Sequence, residues 1–147
     1  MALVLAAPLA LAHGYTVLPA VVYEAAGLIC HQRPERSFHL AGIQLPVCAR
    51  CFGLYASGAA GALIACLAGL SGAGRAPARS AAFAIAVASI PTALTVIAEW
   101  IGLVHPGGLT RAIAAVPLGA MAGWVFVRLL ALEWPHRRPS GQVRYHS

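Results

Sequence analysis

The sequence predicts an all-α integral membrane protein: a bundle of about four transmembrane helices with a polar Cys/His-bearing loop between helices 1 and 2. Of its 147 residues, 60% are hydrophobic and only 10% are charged, and the mean hydropathy is +0.78. A soluble domain carries about 25% charged residues, so this chain lacks the polar surface to face water on all sides. We therefore expect a multi-pass protein of the cell (plasma) membrane, with the lipid bilayer as its main partner.

Four apolar segments are long enough to cross a bilayer core: residues 2–23, 48–70, 81–103 and 111–132. The first carries no charge before Glu24, and Pro19 is expected to kink it. The second begins just after Pro46, the third has Pro91 near its middle, and the fourth ends before Pro135. The length suits one transmembrane domain, residues 1–135, followed by a basic cytoplasmic tail, residues 136–147.

The distribution of arginine predicts the orientation, because cytoplasmic loops carry an excess of basic residues. With four spans, one side would hold both termini and five arginines: Arg75, Arg79, Arg137, Arg138 and Arg144. The other side would hold four: Arg33, Arg36, Arg50 and Arg111. We expect cytoplasmic termini and an outer face formed by residues 30–51. The net charge of +6 indicates contact with anionic lipid headgroups rather than with nucleic acid.

Small residues recur every four positions on two of the predicted spans. Gly53, Ser57 and Gly61 share one face of the second span, and Gly119 and Gly123 repeat the pattern in the fourth. Small residues at this spacing let helix backbones approach closely in lipid. The pattern predicts packing seams, which would serve either packing within the bundle or a homo-oligomer.

The residue types that favour chemistry lie at one end of this bundle. Cys30 and His31 end the first apolar segment, and Cys48 and Cys51 follow after a polar loop, in CxxC spacing. A CxxC places two sulfurs on one helical turn, and a third Cys with a His from across the loop completes a Cys₃His set, a standard zinc composition. The sequence therefore predicts a site for zinc or another soft transition metal at the outer mouth, with these four residues as ligands.

The fourth ligand is open to alternatives, because the adjacent Cys30 and His31 cannot easily bind one ion together. His39, His105 or a water molecule would serve instead. Cys66, in the middle of the second span, is expected to be a packing residue.

Thiol–disulfide chemistry is the alternative prediction for the same cysteines. Cys48 lies at a predicted helix N-terminus beside Arg50, and both features favour the thiolate. A membrane oxidoreductase would cycle the Cys48/Cys51 pair, with Cys30 as the resolving thiol and a quinone as the acceptor. A structural disulfide at an oxidising outer face and simple packing are the remaining alternatives. The chain has no second CxxC and no flavin or quinone motif, which favours the metal.

Five further polar residues are candidates for the same site: Arg33, Glu35, Arg36, Glu99 and Arg111. The first three form either a solvated loop with a local ion pair or an electropositive pocket for an anion, a headgroup or a quinone oxygen. Glu99 shares a helix face with Thr92 and Thr95, and a carboxylate near the membrane usually has a partner or a function. We expect Glu99 to pair with Arg111, or else to act as a metal ligand or proton acceptor beside the cysteines.

The segments CHQRPERSF (residues 30–38) and PVCARCFGLY (residues 46–55) resemble a family of small bacterial and archaeal membrane proteins, domain of unknown function 2085. The resemblance is close over the first half of the chain and looser in the second, where family members commonly carry Asp at the position of Thr95. It implies a multi-spanning membrane protein and no particular activity. It carries over these motif residues: Cys30, His31, Gln32, Pro34, Glu35, Arg36, Cys48, Arg50 and Cys51.

Overall fold

The computed structural model of the protein describes residues 1–70 and 78–133. These residues are mostly helical, with a small two-stranded sheet that the all-α prediction lacks. The predicted tail, residues 136–147, and most of the predicted turn at residues 71–80 lie outside the described ranges. The elements in chain order are α1 (Ala2–Ala12), α2 (Val17–Gly27), β1 (Ser37–Leu40), β2 (Ile43–Cys48), α3 (Ala49–Leu70), α4 (Ala78–Trp100) and α5 (Gly108–Glu133).

Three of the described helices are long and apolar enough to cross a membrane, and they correspond to the predicted second, third and fourth spans. The third span ends earlier than expected, at Trp100. The reason is a Schellman cap, in which Gly102 adopts a left-handed conformation with φ of 72°. The N–H of Gly102 donates to the carbonyl of Glu99 at 3.2 Å, and the N–H of Leu103 donates to that of Ala98 at 2.9 Å. The cap holds Glu99 in the last turn of α4.

The predicted first span is two helices rather than one. α1 and α2 have 11 residues each, which gives each a length of about 16 Å, roughly half of a bilayer core. The chain turns between them at Gly14, where φ is 85°. Pro19 does not kink a long helix but lies in the first turn of α2, where its missing N–H costs no hydrogen bond. The count of four spans is therefore not confirmed.

α1 and α2 fold back on each other beside the cysteines. Val4, near the start of α1, packs against a buried cluster formed by Ala26 at the end of α2, Cys30 and Val47. α1 also contacts β2, and its Ala7 is only 2% exposed. The start of α1 and the end of α2 therefore both lie next to β2.

The predicted polar loop is a β-hairpin. β1 and β2 pair antiparallel, with Leu40 opposite Ile43 across a two-residue turn. Both turn residues, Ala41 and Gly42, have positive φ, as the turns that match strand twist require. Phe38 of β1 packs edge-to-face on Phe52 of α3, with ring centroids 5.6 Å apart. This contact anchors the hairpin on the start of the bundle.

The predicted packing seams meet within one chain, where α3 packs closely on α5. Gly61 of α3 lies against the backbone of Ala120, and a methyl group added there would overlap the Ala120 carbonyl. Gly53, Gly119 and Gly123 leave equally little space for a side chain. α4 is attached to α5 by fewer contacts, among them a 2.8 Å hydrogen bond from the Thr92 hydroxyl to the carbonyl of Ala114.

Gly61→Ala should therefore destabilise the protein by about 1–3 kcal/mol, the usual cost of overpacking a tight contact. Gly69→Ala is the matched control, because it lies in the same helix with no atom within 4 Å of the added methyl group. The control should be neutral or slightly stabilising, since Ala is the better helix former. Unfolding in detergent measures both changes, and equal effects would contradict the close α3–α5 contact.

The back-folded α1–α2 pair also predicts a topology. Reporters inserted at residues 41–44 and fused at residue 1 should both read external, because both positions lie on the hairpin side. Reporters after Gly74 and after Ser147 should read cytoplasmic, the side that holds most of the predicted loop and tail arginines. A cytoplasmic residue 1 would restore the four-span topology, and an external residue 147 would reverse the orientation.

Candidate metal centre

Three cysteines from three parts of the fold converge at the mouth of the bundle. The sulfurs of Cys30, Cys48 and Cys51 all lie within 4.8 Å of one another. Cys30 follows α2, Cys48 ends β2, and Cys51 lies in the first turn of α3. A tetrahedral zinc ion with bonds of about 2.3 Å separates its sulfurs by about 3.8 Å, so small shifts of the side chains would suffice to bind one.

A small polar network places Cys30 opposite Cys48. Gln32 has a left-handed backbone with φ of 48°, and its side-chain amide donates to the carbonyls of Tyr23 at 2.7 Å and Pro46 at 2.9 Å. These bonds join the end of α2 to β2. The N–H of Cys48 donates to the sulfur of Cys30 at 3.2 Å. The strained backbone of Gln32 is therefore held by its own side chain.

A second glutamine, Gln44, completes this network from the hairpin. Its side-chain amide donates to the carbonyl of Gln32 at 2.5 Å, and its own carbonyl accepts a hydrogen bond from the Tyr23 hydroxyl. Sequence reasoning missed Gln44 and Tyr23 as positioning residues, because neither type is distinctive in a loop or an apolar helix. Gln32 was identified only through the family motif, and a motif does not show which groups a side chain contacts.

His31 lies outside the group of sulfurs. Cys30 is 6% exposed whereas its neighbour His31 is exposed, so the two side chains point to different environments. His31 does line the cavity that the three cysteines also line. Among the described residues the candidate ligand group is thus Cys₃, and the fourth ligand stays a prediction. His39 and His105 are exposed and do not belong to this group.

The Cys48 thiol is acidified by its neighbours. A hydrogen bond from the Cys51 thiol, helped by hydrogen bonds from the backbone of Cys51 and Arg50 and from the Cys30 side chain, lowers the pKa of Cys48 to about 5. Cys48 is therefore a thiolate at neutral pH, the form that binds metals and attacks disulfides. All four cysteines are free thiols in this structure. Cys66 is exposed on α3 rather than packed inside, as the surface of a helix facing lipid allows.

Glu99 lies behind the cysteines and contacts three arginines. Its side chain is 5% exposed, and its Oε1 atom accepts a hydrogen bond from Arg111 at 2.9 Å and forms an ion pair with Arg36 at the same distance. Arg50 approaches Oε2 at 3.3 Å. The predicted Glu99–Arg111 pair is confirmed, and the sequence did not reveal the other two partners. The contacts join α4, α5, α3 and the 3₁₀ turn Pro34–Arg36 that precedes β1.

The ion pair within the loop before β1 is weaker than the ion pairs of Glu99. Arg33 and Glu35 are separated by 3.9 Å, and both side chains are more than half exposed. An exposed ion pair of this kind contributes little to stability, about 0–1 kcal/mol. Of the predicted loop charges, only Arg36 therefore has a buried partner.

The cysteines and arginines share one cavity of about 540 Å³. Gln32, His31 and the exposed ring of Trp100 also line it. Glu35 and Glu99 do not line this cavity. Its basic lining residues are Arg33, Arg36, Arg50 and Arg111.

These features define a class: a helical membrane protein with a cysteine cluster and a buried ion-pair network at one end of its bundle. Within that class, residues 30–125 match the family described as predicted membrane protein (DUF2085), and the chain belongs to this family. The match begins at Cys30 and includes Glu99 and Arg111. It confirms the resemblance carried by the CHQ and CARC motifs.

Two archaeal proteins share short segments with the chain. An uncharacterized protein of Methanocaldococcus jannaschii is 49% identical over 43 residues, which cover 29% of this chain and 28% of that protein. An uncharacterized protein of Methanothermobacter thermautotrophicus is 56% identical over 27 residues, or 18% of this chain and 24% of that protein. The chain thus spans about a quarter of the length of the curated relatives it matches. No solved structure matches it.

The ion-pair network predicts non-additive mutations. Glu99→Gln should destabilise the protein by about 3 kcal/mol, because it leaves three arginines without their buried carboxylate. Adding Arg111→Met should recover part of this loss, since removing both partners costs less than removing one. Arg33→Met, in the exposed pair, is the control and should change the free energy of unfolding by less than about 1 kcal/mol. Unfolding in detergent tests the cycle, and strictly additive effects would mean that Glu99 does not act through Arg111.

Proposed function

We propose that this protein is a multi-pass protein of the cell membrane whose Cys30, Cys48 and Cys51 bind one soft transition-metal ion, with zinc as the first candidate. The observation that carries the proposal is the convergence of three sulfurs within 4.8 Å from three separate elements. Thiolates are the ligands that select zinc and similar soft ions over hard ones.

The surroundings of the sulfurs support metal binding. Metal ligation requires thiolates, and the lowered pKa of Cys48 supplies one before any ion arrives. The hydrogen bond from the Cys48 N–H to the Cys30 sulfur is the kind of contact that orients a ligand from the second shell of a metal site. Arg50 and Arg111 line the same cavity and would offset the net negative charge of three thiolates around a divalent ion.

The proposed metal has a structural role. It would tie the end of α2 to the start of α3, because Cys30 belongs to the first element and Cys51 to the second. His31 is the proposed fourth ligand, since it lines the same cavity and needs only a side-chain movement to approach the ion. A water molecule would otherwise occupy that position.

We propose an arrangement in the membrane that follows from the arginine distribution. The single transmembrane domain would place the cysteine cluster at the extracytoplasmic face and the tail in the cytoplasm. Lipid would cover α4, most of whose large apolar side chains are exposed in the isolated chain. Alternatively, a second copy of the chain would cover α4 in a homo-oligomer.

A thiol–disulfide oxidoreductase is the second candidate function, and the acidity of Cys48 favours it. Cys48 immediately precedes α3 in CxxC spacing, the position in which reactive thiolates occur. In this function Cys48 and Cys51 would form a disulfide, and a quinone would accept the two electrons and two protons. Cys30, whose sulfur belongs to the same group, would resolve mixed disulfides.

Metal analysis of the protein purified in detergent, with thiol counting, distinguishes the two functions. The metal proposal expects about one ion per chain and three thiols that react with alkylating reagent only after chelation. Cys30→Ser, Cys48→Ser and Cys51→Ser should each abolish stoichiometric metal. Cys66→Ser is the matched control and should keep it, because Cys66 lies outside the cluster. A metal-free protein with a Cys48–Cys51 disulfide would instead establish the redox function.

A further inference from the structure

We propose that the cavity shared by the cysteines and arginines also binds a phosphate group, through its arginines rather than through the proposed metal ligands. Four arginines from separate parts of the chain line this cavity: Arg33 and Arg36 from the loop before β1, Arg50 from α3 and Arg111 from α5. The cavity of about 540 Å³ has room for a phosphate with part of the molecule that carries it.

The charges around the cavity do not balance within the described residues. No carboxylate lines it there, and Glu99 lies behind the arginines, where it is shared by Arg36, Arg50 and Arg111. Glu35 neutralises Arg33 only through a 3.9 Å contact exposed to solvent. Even a zinc ion with three thiolates, which carries a net charge of about −1, would leave positive charge in excess. An anion in the cavity would remove that excess.

The arginines also retain hydrogen-bond donors. A guanidinium has five N–H donors, and the hydrogen bonds of Arg111 and Arg50 to Glu99 use one nitrogen of each. The Nε atoms of both side chains are buried and have no hydrogen-bond partner in the described structure. Glu99 thus leaves part of the donor capacity of these two guanidinium groups unused.

A phosphate group fits these donors and this location. The planar fork of arginine matches the oxygens of phosphate, and several guanidiniums together neutralise its charge. The cavity lies where α4 ends and α3 and α5 begin, the level of the membrane–water interface. Trp100, 86% exposed, and Ile29, 68% exposed, also line it and would contact an apolar part of the ligand. A lipid headgroup and a soluble phosphate compound both supply this chemistry.

Binding to the protein purified in an uncharged detergent tests the proposal. The probes are inorganic phosphate and dihexanoyl phosphatidic acid, with dihexanoyl phosphatidylcholine as the zwitterionic control, and the readouts are the melting temperature and the Kd. Saturable binding of both anionic probes would assign the site to phosphate itself. Binding of phosphatidic acid alone would assign it to a lipid headgroup. Binding of neither, or equal binding of phosphatidylcholine, would overturn the proposal.

Arg33→Gln is the decisive variant, because Arg33 lines the cavity and its mostly exposed side chain forms an ion pair with Glu35 alone among the described residues. It should raise the Kd at least about fivefold with little change in stability. Arg79→Gln removes an exposed arginine at the opposite end of α4 and should leave the Kd unchanged. Equal effects of the two variants would show nonspecific attraction and overturn the proposal.

The test is independent of the metal. Cys48→Ser should lose the metal but keep phosphate binding, whereas Arg33→Gln should keep the metal. A failure of metal binding therefore leaves the phosphate site intact, and a failure of phosphate binding leaves the metal proposal intact. Loss of phosphate binding in Cys48→Ser, with the melting temperature unchanged, would contradict a separate site.

Discussion

The ion pairs of one buried carboxylate, Glu99, hold together the elements at the mouth of this bundle. Glu99 is 5% exposed and forms ion pairs with arginines on three other elements. Burying one carboxylate with one arginine is at best neutral for stability, whereas removing one partner is costly. The pairing therefore acts mainly as a positional constraint. The end of α4 must lie close to three arginines from other parts of the chain: Arg36, Arg50 and Arg111. Arg50 is adjacent to Cys51, and Arg36 lies in the 3₁₀ turn that leads into the hairpin ending at Cys48. The same constraint therefore helps to bring Cys48 and Cys51 to the end of α4.

Close packing of α3 on α5 makes this convergence possible. Gly53 lies against the backbone of Ala112, one residue after Arg111, so the first turns of both helices approach closely enough to share one carboxylate. A larger residue at Gly53 would push Arg111 away from Glu99 as well as separate two helices. The helix packing in the apolar part of the bundle is thus coupled to the ion pairs at its mouth through two adjacent residues, Arg111 and Ala112. The hairpin adds a second coupling, because Phe38 rests on Phe52 one residue after Cys51.

The cysteines and arginines form a mouth in which opposite charges lie next to each other. Cys48 is acidified by its neighbours, and four arginines line the cavity that its thiolate faces. In the two proposals, the thiolates would hold a cation and the excess of guanidinium groups would hold an anion in the same cavity. The metal and the phosphate would then bind without using the same residues. The proposed metal site and the proposed phosphate site lie at the same place in the fold but use different side chains.

The sequence by itself determined the membrane class, the three long spans, the packing seams and the residues of the mouth, because hydropathy, four-residue spacing and chemically distinctive side chains are local properties. It also identified the Glu99–Arg111 pair from its position at the ends of two spans. It did not determine that the first apolar segment folds into two helices, since Gly14 breaks a helix without changing hydropathy. Only the tertiary structure decided which arginines share Glu99, that the close group of candidate ligands is the three cysteines without His31, and that Gln32 and Gln44 hold the hairpin. Those outcomes depend on which distant backbones come close, and hydrogen bonds between residues far apart in the chain leave no periodic signal in the sequence.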